Sequence, residues 1–198
     1  LVQNDLFSKM LSPEPRKIRV TFTTSLNAFV NGLMRRPHMQ TKNQNANPLS
    51  RNIGCAHGML VEEHVSDWFQ TRYPDLWMYP DNYEKWSKPC DHDFKLIINK
   101  TKGIPVKVDV FGPCKDGKFR LSKGKSPTTL HVFSKPTDCG TDVEMLGYLW
   151  ASEMKKQVEA AEEISIESLN PMVRLIVHLN CIKAGFDYQA IRRAVREY

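Results

Sequence analysis

Three carboxylates in this chain stand where an acid costs free energy. Asp109 lies inside the run Val106-Lys107-Val108-Asp109-Val110. Strand alternation would send Lys107, Asp109 and Phe111 to one face and Val106, Val108 and Val110 to the other. Asp93 opens the run Asp93-Phe94-Lys95-Leu96-Ile97-Ile98, and Glu62 falls upstream in a segment of helical period. A carboxylate inside a strand-forming run is disfavoured by β propensity and by desolvation unless it pairs or binds a cation. Two such acids on paired strands, with a third from a flanking helix, would make the hard-oxygen donor set that Mg²⁺ takes. The same residues also fit plain surface charge, with Asp109 pairing to Lys107 or Lys95 on an exposed face.

The elements that must position these acids are readable from period and punctuation. Leu60, Val61, His64, Val65, Trp68 and Phe69 recur at helical spacing and the pattern stops at Pro74, which predicts an amphipathic helix carrying Glu62. From Pro89 the period becomes extended. His92–Lys100 and Ile104–Gly112 are strands joined by the turn Lys100-Thr101-Lys102-Gly103, an antiparallel hairpin. Lys115–Lys123, with its Asp-Gly turn signal, and Thr128–Lys135 extend the sheet. Glu144–Ile164 starts as strand or helix and is helical from about Ala151. Residues 165–198 give one or two terminal helices, broken at Pro171 and near Gly185. The order of helix, strands and helix predicts an α/β or α+β core. Residues 1–53 read as a basic arm or subdomain, 54–160 as the core and 161–198 as a helical segment, the first boundary following the Asn- and Gln-rich stretch 37–52.

The 198 residues are 41% hydrophobic and 25% charged, which excludes collagen, coiled coil and wholesale disorder. No apolar run approaches the roughly 18 residues of a membrane-spanning helix. Five cysteines without a Cys-x-x-Cys pair speak against a disulfide framework and for a reducing, cytoplasmic setting. Cys90, His92, Cys114 and Cys139 lack the usual zinc-site spacing, and neither a Walker A motif nor Gly-x-Gly-x-x-Gly occurs.

At the three acids the chain resembles the PD-(D/E)XK nuclease superfamily, in particular its small phage-type or mobile-element members. Gly58–Phe69 is similar to the family's first helix, with Glu62 four residues after Gly58. His92–Ile98 is similar to the strand that begins with the metal-binding Asp, here Asp93. Val106–Gly112 is similar to the strand of the (D/E)-x-K motif, here Asp109, and Thr141–Lys156 is similar to the late strand and helix. The resemblance covers residues 54–160 and implies a restriction-endonuclease-like mixed sheet flanked by helices. It further implies Mg²⁺ or Mn²⁺ held by Glu62, Asp93 and Asp109, and hydrolysis of phosphodiester bonds in nucleic acid, DNA by preference.

One position departs from that pattern. The residue where (D/E)-x-K places its lysine is Phe111, which can neither orient nor deprotonate a water. Lys107, two residues earlier on the same face, and Lys95, two after Asp93, are the candidates to bring an ammonium back, since the role is positional and the stem is long. A second register also matches the motif: Pro80-Asp81, eleven residues, then Asp93-Phe94-Lys95. Its intervening residues Glu84, Lys85, Ser87, Lys88 and Pro89 are too polar for the strand that should precede it. If no lysine serves, the chain is a nuclease-like module that binds nucleic acid or a protein without cutting.

The charge is uneven: net +6 over residues 1–57, +3 over 58–137, −6 over 138–169 and +3 over 170–198. Such basic ends suit a polyanion, with Arg35 and Arg36 in the arm and Arg192, Arg193 and Arg196 in the last helix as phosphate contacts. Trp68, Trp77, Trp86 and Trp150 with Tyr73, Tyr79 and Tyr83 are either a base-stacking set or core.

Overall fold

The computed structural model describes residues 18–21, 48–79, 92–98, 105–113, 118–120, 130–137, 142–160 and 163–186. The described elements are, in chain order, β1 (Ile18–Thr21), α1 (Pro48–Arg72), β2 (Trp77–Met78), β3 (Phe94–Leu96), β4 (Val106–Phe111), β5 (Phe119–Arg120), β6 (Leu130–Pro136), β7 (Asp142–Trp150), α2 (Ala151–Ala160), β8 (Glu163–Ile164), a 3₁₀ turn (Ile166–Ser168) and α3 (Met172–Lys183). No described helix is long and apolar enough to cross a membrane.

These residues form an α+β arrangement around one mixed sheet of order β1-β7-β6-β4-β3-β2. β2 pairs antiparallel with β3 and β3 with β4, β6 is parallel to β4, and β7 is antiparallel to both β6 and β1. The expected hairpin is present, with Phe94 opposite Val108 and Leu96 opposite Val106. The switch from strand to helix falls at Ala151, as the change of period predicts. There Glu153 reaches back so that its Oε2 accepts the Trp150 N–H at 2.8 Å, satisfying a donor that the first helical turn leaves open. The same oxygen accepts Asn170 Nδ2 at 2.9 Å.

Two sequence expectations are altered. Residues 18–21 of the expected arm form β1 and complete the sheet along β7, and α1 begins at Pro48, so the boundary near residue 53 cuts through a helix. β5 does not extend the main sheet but pairs with β8 in a separate two-stranded one.

The sheet is apolar on both faces. Val108 and Val110 of β4, Leu130 and Val132 of β6, and Val143, Met145 and Tyr148 of β7 form one core with Val61, Val65 and Phe69 of α1 and Met172, Leu175, Leu179 and Ile182 of α3. The opposite face holds Phe119, Phe133, Leu146, Leu149, Met154, Ile164 and Leu169, with Phe111 against them. β7 serves both cores through an irregularity: Phe133 faces Gly147 while Ser134 faces Met145, which leaves Leu146 as the extra residue and moves the alternation by one. α1 ends before Pro74, whose ring disfavours helical geometry at Tyr73. The Tyr73 hydroxyl then donates to Asn180 Oδ1 at 3.0 Å, tying the end of α1 to α3, and burial pushes its pKa to about 12.

Asn170 lies along β7 beside Tyr148, with backbone N–H to O distances of 3.0 Å in both directions. The returning chain comes so close that a Cβ on Gly147 would stand 2.6 Å from Leu169 Cβ and 2.7 Å from the Asn170 carbonyl oxygen. Gly147→Ala is expected to destabilise the fold by about 1–3 kcal/mol through overpacking. At this chain length that lowers the thermal midpoint by about 2–4 °C per kcal/mol; an unchanged melt by circular dichroism would contradict the close approach.

Burial of His178 on α3 holds its pKa below the ordinary 6.5, against a smaller opposing effect from a hydrogen bond to the Ile98 backbone. A folded-state pKa below the unfolded one means the unfolded chain binds the proton more readily, so the stability this residue carries is present above pH 6.5 and is lost as pH falls through the folded value. Urea unfolding of His178→Gln between pH 7.5 and about pH 5 should therefore show a shallower acid decline than the parent. Parallel declines would remove His178 from the acid response.

Candidate functional site

The second face of β4 carries the candidate chemistry. The sequence alternation holds: Val108 and Val110 enter the α1 core, while Phe111 joins the opposite one, which places Asp109 and Lys107 on the face of Phe111. Lys95 is the register partner of Lys107 across the β3–β4 pair, and Met78 of β2 is the partner of Lys95. Directly opposed side chains in such a pair have Cβ atoms about 4.5–5.5 Å apart. Two lysines and a carboxylate are thus gathered on adjacent strands, and Lys95 and Asp109 are only 8% and 6% exposed. The exposed-face pairing of Asp109 does not survive this burial.

Asp93 sits at the mouth of β3, alongside Val108 to Val110. Its N–H donates to the Val108 carbonyl at 2.9 Å and its Oδ2 accepts the Val110 N–H at 2.7 Å. The carboxylate thereby takes the place of a backbone acceptor and is fixed between the strands by a charge-assisted bond. A short side chain at a strand entrance is suited to this, because it can turn back onto the neighbouring ladder.

Glu62 is not brought to this face. It belongs to α1, which packs through Val61 and Val65 on the valine face of β4, whereas Asp109 leaves the sheet on the other side. The expected three-carboxylate cage is therefore corrected: among the described residues no group of three His, Cys, Asp or Glu side chains could hold a metal ion. Of the other two acids, Asp109 lies on β4 and Asp93 is bonded through its carboxylate to the Val110 N–H of the same strand.

Phe111, where the (D/E)-x-K resemblance would place a lysine, is packed into the second core. Its ring stacks on Phe133 at 5.5 Å between centroids and 24° between planes, and meets His131 edge-on at 5.1 Å and 72°. His131, which was not among the site residues expected from sequence, is the register partner of Asp109 on the parallel strand β6. It is 2% exposed, and its Nδ1 lies 3.8 Å from Asp109 Oδ2. The only sequence signal for it is a polar residue between Leu130 and Val132 in a strand-like run; the parallel pairing that brings it to Asp109 has no local signature.

The aromatic set is largely core. Trp68 packs edge-on to Phe69 at 5.0 Å with the Arg72 guanidinium 4.8 Å above its ring, Trp77 is buried with Nε1 donating to Ser66 Oγ, and Trp150 packs beside Tyr148. Tyr79 alone of the described members is largely exposed, at 49%. Asp81, Tyr83, Trp86, Cys90, Cys114, Cys139, Arg35, Arg36, Arg192, Arg193 and Arg196 lie outside the described residues.

Neither a family model, nor a curated protein, nor a solved structure matches this chain.

Proposed function

We propose that the chain is a metal-dependent nuclease that hydrolyses phosphodiester bonds in DNA, with its site on the Asp109 face of β3 and β4. The observation that carries this reading is the register that sets Lys95 opposite Lys107 on that face, with Asp93 at the adjoining strand end. Its support from the fold is the order of α1, a strand entered at Asp93, a strand carrying Asp109, and β7 running into α2. This is the order that a restriction-endonuclease-like core requires of these motifs.

In that reading Asp93 and Asp109 would hold Mg²⁺ or Mn²⁺, which when bound polarises the phosphodiester and makes a nucleophile of water. Lys95 and Lys107 bind non-bridging phosphate oxygens and orient the scissile group, a task that needs a positioned ammonium rather than a fixed sequence position. The low exposure of Lys95 strengthens its field, because charge in a water-poor site is weakly screened. The basic flanks supply non-specific affinity for the backbone, and a reducing, cytoplasmic setting accords with the cysteine pattern.

A second reading, a nuclease-like module that binds DNA or a protein without cutting, is favoured by the packing of Phe111 in the lysine's place. Incubating the purified full chain with labelled duplex DNA and Mn²⁺, with and without chelator, separates the two. Asp109→Asn and Lys95→Ala are each expected to slow cleavage at least about 10²-fold, the usual cost of one electrostatic stabiliser, with Lys107→Ala less severe. Retarded DNA with no chelator-sensitive product would select the binding module. Neither retardation nor product would end the nuclease reading and leave only a protein partner for the second.

A further inference from the structure

Resting on the nuclease reading of the same site, we infer that His131 is a positioning residue for Asp109, clamped by Phe111. The pair is set by the parallel register of β4 and β6, which aligns Asp109 with His131 and Phe111 with Phe133 along one face. Nδ1 of His131 stands 3.8 Å from Asp109 Oδ2, close enough for the imidazole to bias which way the carboxylate turns. The imidazole is itself held. Phe111 abuts it edge-on at 72°, and Phe111 is stacked in turn on Phe133, which also meets Phe119 at 5.2 Å and 82°. A chain of aromatic contacts thus runs from the second core to an imidazole beside the buried carboxylate, and both partners are under a tenth exposed.

This gives Phe111 a role other than that of a lost catalytic group. The phenyl ring joins the second core and abuts His131. Carboxylates that work at reacting centres depend on such neighbours for their orientation, and removing one commonly costs 10–100-fold. The position of His131 on β6, away from the β3–β4 hairpin, would let the orienting group be supplied without occupying the space in which Lys95 and Lys107 meet a phosphate.

The test uses the full chain with His131→Phe, His131→Gln and Asp109→Asn. His131→Phe is expected to lower kcat on duplex DNA with Mn²⁺ by about 10- to 100-fold with KM nearly unchanged, and His131→Gln, which keeps a polar nitrogen near the carboxylate, to recover most of that loss. A purely structural role would lower the melting temperature instead and would not be rescued in kcat. Independently of activity, the ring ¹⁵N shifts of His131 should move in Asp109→Asn. Full activity in His131→Phe, or unmoved ring shifts, overturns the inference. If the parent chain yields no product, the nuclease reading falls, and the ring shifts then decide alone: a change supports an interaction between the His131 imidazole and the Asp109 carboxylate, and no change overturns the inference. Should His131→Phe fail to fold, His131→Leu takes its place, with the same expected loss of kcat and the same overturning result, beside the ring shifts in Asp109→Asn.

Discussion

β4 is a central strand with apolar cover on both sides, so every residue along it is assigned to one of two packed layers. Its valines are claimed by the helices α1 and α3, and Phe111 by the layer built from β5, β8 and α2. Between them Lys107 and Asp109 are carried to the second layer with no choice of face, because a one-residue slip would bring the charged pair under α1 and expel the valines. The free energy that fixes the position of Asp109 is therefore not its own: burial of the valines, at about 25 cal/mol per Å² of apolar surface, sets the register and Asp109 follows.

The same strand is where the two halves of the sheet meet. On one side it joins an antiparallel hairpin, in which side chains pair locally; on the other it joins β6 in parallel, a pairing that needs a crossover. Lys95 and Lys107 come from the first side and His131 from the second. A polar group assembled from both sides needs both registers. The close approach of Leu169 and Asn170 to Gly147 belongs to the same arrangement, since it seats the chain leaving α2 on β7.

Phe111 shows how one substitution can change the meaning of a motif. At its position a lysine would be read as catalytic. The phenyl ring is instead a structural link between the second core and His131, while Lys95 and Lys107 face each other across β3 and β4.

Much of this was legible in the sequence. The valine and Lys-Asp-Phe alternation of β4, the hairpin with β3, the helix stopping before Pro74 and the change to helix at Ala151 are written in spacings of two and about four residues, and those periods arise from backbone geometry within one segment. Which layer each element joins was not. Helical period showed that α1 has an apolar side, but only packing decided that this side covers the valines and so keeps Glu62 from Asp109. Local pattern made a strand of Phe119–Arg120, yet its pairing with β8, the docking of β1 on β7 and the alignment of Asp109 with His131 join segments far apart in the chain. Those pairings depend on which surfaces remain to be covered once the sheet has formed, a property of the whole fold that no single segment carries.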